Sequence, residues 1–474
     1  MPGVAILIAW GGDLDRSPNP DRRSPYHVGV ALISTPRRIA ALGAVFAALG
    51  GIAVLAASAG VDQAAVVSVT ADRVTQPVGD LAVAFDIGAV DQFVVAGVDA
   101  AVTRVGGVAA VSRSGSLGLR RLVRAGVTVH APPSGYLIPI TFISLPKGAI
   151  GGVFGADVSA VVNDHTVVIN QVTAESIGAQ QGDMIELRAD NGSAVTLTIG
   201  GIRPYDQLGW AELVFTTEVA ERLGATSDTR VVMWGFDDRV GLDAALVDVG
   251  VIGRRDTKVT HSWDPPDPDD TLSTAHTKVA LGEPWYRINS DGSLSMHPVW
   301  EAANLTDGRL LLDPIVRIRA RCHVRVAGDL SAALADVAAA GLGYAIEVAN
   351  ANVFGGCYSP RYSRTSGFLS RHAYAMALDT NTVSNCGGCR PPRMNCDVVR
   401  IFRKHGFAWG GNFRQPDGMH FEWVGEPRDQ IQFASNYCPN IVNPFVESAS
   451  VAPIGRGVLT AGEAGMVHDH PDGP

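Results

Sequence analysis

Residues 39–60, IAALGAVFAALGGIAVLAASAG, contain no charged side chain, and no other run in the 474-residue sequence is as long and as apolar. About 20 such residues cross a hydrocarbon core as a helix, so this run commits the chain to a membrane before any other choice is made. Arg16, Arg22, Arg23, Arg37 and Arg38 all precede it. Basic flanks stay on the cytoplasmic side, which sends everything after residue 60 outward. The expectation is a cytoplasmic tail over 1–36, rich in Pro, Asp and Arg and disordered, then a single-pass signal-anchor over 37–60. Ala57-Ser58-Ala59 offers the alternative of cleavage after Ala59 and secretion. A buried core helix fits less well, because the run is apolar on every face and basic on one flank only.

The remaining length exceeds one ordinary domain, and a 46% hydrophobic content can supply more than one core. The formal net charge of −9 provides no basic face, so nucleic acid is not an expected partner.

Residues 61–262 are rich in Val, Ala and Gly, with strand-like runs at 166–170 and 195–199. Between residues 184–188 and the second of those runs lies Asp190-Asn191-Gly192, a hairpin signal because Asn-Gly accepts the positive φ of a tight turn. With short helices at 175–179 and 218–223, the reading is a β-rich α+β domain of unknown role. Residues 174–183 and the hairpin after them weakly resemble the extracytoplasmic domains of some bacterial transporter permeases. His130 and His165 are isolated, and a lone histidine is more often structural than a ligand. Residues 263–276, beginning Trp263-Asp264-Pro265-Pro266, read as an extended Pro/Asp-rich linker in which clustered aspartates repel.

The chemistry concentrates in residues 277–448. Asp329 can cap a helix that stops near Gly341, with a strand-like 344–348 after it. His372 and Asp379 are seven residues apart across an apolar stretch. A carboxylate ending such a stretch needs a cation or strong donors to offset its desolvation. Further on, Asp417 precedes His420 by three residues. Two histidines and a carboxylate suit a catalytic zinc that keeps its fourth position open for water. An acidic neighbour such as Asp417 can act as general base, and an arginine can stabilise an oxyanion. Arg361 is the candidate, with Arg364 and Arg371 as competitors. Spacing alone leaves open that His372 and His420 are unrelated core or surface residues.

Arg361, then Ser370-x-His372-x6-Asp379, then Gly406-Phe407-x-Trp409-Gly410-Gly411, then Asp417-x-x-His420-Phe421-Glu422 together resemble one family, over about residues 285–424. It is the D-alanyl-D-alanine carboxypeptidase and phage L-alanyl-D-glutamate endopeptidase family of zinc peptidases. The resemblance implies a small α+β fold with a central antiparallel sheet, zinc on His372, Asp379 and His420, and Asp417 as catalytic acid and base. It further implies Arg361 on the substrate carbonyl, Ser370 close to the site, and peptidoglycan peptides as substrate. Trp-Gly-Gly and Asp-x-x-His lean towards the endopeptidase branch. One departure is Ala375, where the family usually has glycine.

All six cysteines (Cys322, Cys357, Cys386, Cys389, Cys396, Cys438) lie in the last third. In an oxidising compartment they are expected to form up to three disulfides bracing the loop between the two zinc motifs, with the pairing open. A structural zinc or redox role for Cys386-Gly-Gly-Cys389 is the alternative. His405 suits a helix C-terminus, Glu283 to Tyr286 reads as an entry strand, and residues 449–474, with His468 and His470, read as a disordered tail. The rival functions are a non-catalytic cell-wall-binding module and a membrane-complex accessory protein.

Overall fold

The computed structural model describes residues 79–440, except 87, 255, 265–267, 308, 312–316, 351, 364–366, 414 and 430–432. The tail over 1–36, the apolar run over 37–60 and the segment over 449–474 lie outside the described residues. No described helix is long and apolar enough to cross a membrane.

The first ten strands are β1 (Leu81–Asp86), β2 (Val108–Arg124), β3 (Val127–His130), β4 (Ile138–Leu145), β5 (Thr166–Asn170), β6 (Met184–Arg188), β7 (Ala194–Arg203), β8 (Leu213–Thr216), β9 (Arg230–Trp234) and β10 (Thr257–His261). They form one sheet in the order β10-β1-β9-β2-β4-β8-β5-β7-β6, with β3 paired to β2. Because β6 also pairs with β2, the strands β2, β4, β8, β5, β7 and β6 close into a barrel. Closure removes the edges an open sheet would leave unpaired. Leu119, Ile140, Phe142, Leu197 and Phe215 are among the side chains that form its core, with Phe142 stacked on Phe215. The β10-β1-β9 flank is covered by helices Gln92–Arg104 and Arg239–Asp248, which bury Val94, Val98, Leu242 and Leu246 with Val231 and Met233.

Local chemistry accounts for the connections. The β6–β7 hairpin pairs Met184 with Thr198 through Arg188 with Ala194, and Gly192 in its turn has φ 84°. The helix expected at 175–179 runs instead over Gln171–Ile177. Asn170 caps it by accepting from Thr173 N at 2.8 Å, and left-handed Gly178 ends it. The next helix, Thr217–Leu223, is capped by Thr216.

The second half contains β11 (Tyr286–Ile288) paired with β12 (Leu294–Met296), β13 (Arg309–Leu311) paired with β14 (Arg317–Arg319), and four further strands. These are β15 (Phe354–Gly356), β16 (Ala377–Thr380), β17 (Phe407–Trp409) and β18 (His420–Trp423), in the antiparallel order β15-β16-β18-β17. Helices Val324–Ala339 and Cys396–Lys404 pack Leu330, Leu334, Val398 and Phe402 into one core with Leu378, Phe407 and Phe421. Since side chains alternate along a strand, this core-facing set leaves Asp379, His420 and Glu422 on the opposite face.

Several local expectations give way to longer-range partners. The helix expected to start at Asp329 starts at Val324, capped by His323. Asp329 lies inside it and accepts from Trp423 Nε1 at 2.7 Å. Residues 344–348 form no strand; a 3-10 turn, Gly343–Ala345, stands there, and Asn381 Nδ2 donates to Ala345 O.

The segment 263–276, expected as an extended linker, carries buried side chains. Asp269 and Arg403 form an ion pair at 3.0 Å with both side chains 0% exposed, and Asn412 donates to the same carboxylate. The aspartates that looked mutually repelling are answered by an arginine far away in sequence. Helix Thr274–Leu281 follows, and its Lys278 pairs at 2.6 Å with Glu212 at the barrel.

The cysteines pair as Cys322–Cys357, Cys386–Cys389 and Cys396–Cys438. Only Cys386–Cys389 lies wholly between the two motifs; the others fasten β15 to the start of helix Val324–Ala339, and helix Cys396–Lys404 to the chain's later part.

Candidate metal centre and active site

Asp379 on β16 and His420 on β18 are direct cross-strand partners. His372 arrives from the short 3-10 turn Arg371–Tyr374 just before β16, where Ser370 caps the turn by accepting from His372 N at 3.1 Å. The chain turns back through Ala375, whose φ of 56° is left-handed. That conformation explains why a glycine suits this position. Ala375 adopts it while fully buried, and the Asp379–His420 register is kept.

The three side chains converge. His372 Nε2 stands 3.1 Å from Asp379 Oδ2, and His420 Nδ1 stands 3.0 Å from Asp379 Oδ1. Their donor atoms all lie within 4.8 Å of one another, and both imidazoles are buried. Burial pushes the Asp379 carboxyl up, but the charge and hydrogen bond of His372 and the hydrogen bond of His420 outweigh it and hold the group well below its ordinary range.

The two histidines face Asp379 with different nitrogens, and each remaining nitrogen has a polar neighbour. His372 Nδ1 lies 3.1 Å from Cys357 O, an acceptor only, so Nδ1 carries a proton and Nε2 is the nitrogen a metal ion would take. His420 Nε2 lies 3.6 Å from Glu422 Oε2. Glu422 is fully buried and pairs through Oε1 with Arg371 Nε at 3.0 Å. Arg371 also donates to Thr277 Oγ1 at 3.2 Å and to Leu272 O. It is therefore committed behind His420, a reason to set it aside as the oxyanion arginine. Arg364 lies outside the described residues. Arg361 donates to Ser370 Oγ at 3.0 Å, the atom that also receives His372 N.

Two imidazoles and one carboxylate, gathered and oriented by outer partners, are a donor set that can bind a metal ion, and its N and O chemistry fits zinc. Asp417 lies outside this set. It is buried on the turn that delivers His420, with its N donating to Gly410 O at 2.8 Å and its O accepting from His420 N at 3.1 Å. Gly387 forms a β-bridge with it. The glycines have steric reasons: a Cβ on Gly410 would sit 2.4 Å from Asp417 O, and one on Gly355 would sit 2.9 Å from Asp379 Cβ.

Glu422, the Cys357 carbonyl and Thr277 had no role assigned from sequence. Only Glu422 carried a signal, as a charged residue two positions after His420 in an apolar strand. Among the other histidines, His130 pairs with Glu283 at 3.0 Å. His405 lies at the C-terminal cap of its helix and pairs with Asp336 at 2.9 Å.

Residues 363–423 match the family model described as D-alanyl-D-alanine carboxypeptidase, which supports that peptidase superfamily for this part of the chain. No curated protein matches the sequence. Among solved structures, a domain from a Porphyromonas gingivalis protein described as a permease is 14% identical, covers 38% of this chain and 86% of its own, and superposes with a TM-score of 0.22, too low to fix a fold.

Proposed function

We propose that the last third of this chain is a zinc-dependent peptidase that hydrolyses amide bonds in peptidoglycan stem peptides, as an L-alanyl-D-glutamate endopeptidase or a D,D-carboxypeptidase. The observation that carries the reading is the convergence of His372, Asp379 and His420 on paired strands within a segment that matches a peptidase family model. A zinc ion bound there would supply a Lewis acid and lower the pKa of a coordinated water towards about 7.

The chain's own groups divide the remaining work. Asp417 accepts the water's proton as the amide carbon is attacked, then returns it to the leaving amine. Arg361 steadies the negative charge that develops on the carbonyl oxygen. Ser370 orients Arg361 and the His372 backbone through one hydroxyl, and Glu422 with Cys357 O holds the imidazoles in place. In this reading residues 39–60 anchor the protein in the membrane with the peptidase outside the cytoplasm, where its substrate lies.

Incubating the purified protein with defined muropeptides, with and without a chelator, tests the proposal by mass spectrometry. Loss of D-alanine or cleavage after L-alanine supports it and names the bond. Intact muropeptides with the zinc-loaded protein would overturn it.

A further inference from the structure

The residues that carry Arg361 and Ser370 touch the barrel as well as the metal centre. Residues 361–363 and 367–370 run antiparallel: Ser370 N donates to Arg361 O at 3.0 Å, Ser363 N donates to Phe368 O at 2.8 Å, and Tyr362 bridges Leu369. On the barrel, Ser116 of β2 donates its N to Gly367 O at 3.3 Å and accepts Leu369 N at Oγ at 3.1 Å. Between those bonds Phe368 enters the apolar cluster that holds Ile143, Val214 and Trp210, edge-on to Trp210 at 5.1 Å. Phe368 is 6% exposed, so its side chain belongs to the barrel's packing although its backbone belongs to the active-site segment.

A second link reaches Arg371, the residue directly before His372. Glu212, beside β8, accepts Thr141 N at 2.8 Å and Thr173 Oγ1 at 2.8 Å, and pairs with Lys278 at 2.6 Å. The residue before Lys278 is Thr277, which receives Arg371. Ser370 and Arg371, the two neighbours that precede His372, are thus each tied to the barrel, one directly through its hairpin and one through helix Thr274–Leu281.

We infer that the barrel is a positioning element of the active site, with Phe368 and Ser116 setting where Arg361 and Ser370 stand relative to His372. Packed interfaces resist continuous deformation, and a misplacement of about 1 Å at a reacting centre can cost about a hundredfold in rate. The inference rests on the reading that Arg361 meets substrate, but its structural half stands apart from that reading.

The experiment uses the full chain and compares wild type, Phe368→Ala, Phe368→Leu and Ser116→Ala. Three quantities are read: amide hydrogen exchange, zinc stoichiometry, and kcat and KM on a muropeptide that wild type cleaves. In Phe368→Ala, exchange across residues 361–370 is expected to rise about tenfold or more, while β16, β18 and zinc content stay as in wild type. Its kcat/KM falls about ten- to a hundredfold, and Phe368→Leu recovers most of it. Should Phe368→Ala fail to fold, Ser116→Ala, which deletes one hydrogen bond, shows the same local loosening on a smaller scale. Unchanged exchange at 361–370 in the folded variants, or faster exchange with unchanged kcat/KM, overturns the inference. An inactive wild type refutes the proposed function instead, and the exchange data still decide whether the barrel holds this segment.

Discussion

His420 Nδ1 lies 3.0 Å from Asp379 Oδ1, and the two residues are paired partners in the β16–β18 ladder. Paired residues share a face, and a slip of one position would turn one of them into the helix-packed core. The register of two short strands is therefore also the geometry of the candidate metal centre.

That dependence sets the first expectation. Protein dialysed against zinc should retain about one equivalent per chain by elemental mass spectrometry, the stoichiometry of a three-ligand site. Asp379→Asn and His372→Ala should each lower it sharply. Retention of zinc by the Asp379→Asn, His372→Ala double variant would mean the metal is held elsewhere.

Asp417 stands outside the converging donors, so its loss should separate binding from turnover. Asp417→Ala is expected to keep zinc while its turnover falls about 10²- to 10⁴-fold, the range for a general acid–base group. Equal turnover in variant and wild type would remove Asp417 from the mechanism.

Glu422 and Arg371 form a pair with side chains 0% and 5% exposed. Glu422→Ala leaves a buried guanidinium without its carboxylate, which costs about 3–5 kcal/mol. Urea unfolding in the presence of chelator measures that cost. The same variant should weaken zinc about 10- to 100-fold, because the group beside His420 Nε2 is gone. A stability loss without an affinity change would make Glu422 structural only.

Ala375 gives a test in which opposing effects nearly cancel. Relief of a left-handed alanine is worth about 1–2 kcal/mol. Against it stand about 0.8 kcal/mol for a lost buried methyl and about 0.5–1 kcal/mol for glycine's added chain entropy. Ala375→Gly should therefore change stability by less than about 1 kcal/mol and keep activity. Ala375→Val, β-branched at positive φ in a buried site, should destabilise by more than about 2 kcal/mol. Both are read by thermal or urea unfolding.

What could be read from the chain differs by range. The Asn191-Gly192 turn announces itself because positive φ is a property of single residues, and the strand at 166–170 announces itself by its β-branched run. His372, Asp379 and His420 were legible as a motif, since short spacings on a turn and a strand leave few geometries. The pairing of β6 back onto β2, which closes the barrel, left no local mark. Nor did the partners of Asp329 and Asp269: Trp423 and Arg403 lie 94 and 134 residues away along the chain. Local chemistry favours a helix cap and an extended linker, and each gives way to a tertiary contact.

The ion pair between Asp269 and Arg403 has a practical side. Anyone excising the peptidase-like portion would be tempted to cut just ahead of helix Thr274–Leu281, where prolines and aspartates advertise a joint. Such a fragment would carry the Arg403 guanidinium without the carboxylate that neutralises it, and would reach the bench insoluble or misfolded whatever its activity.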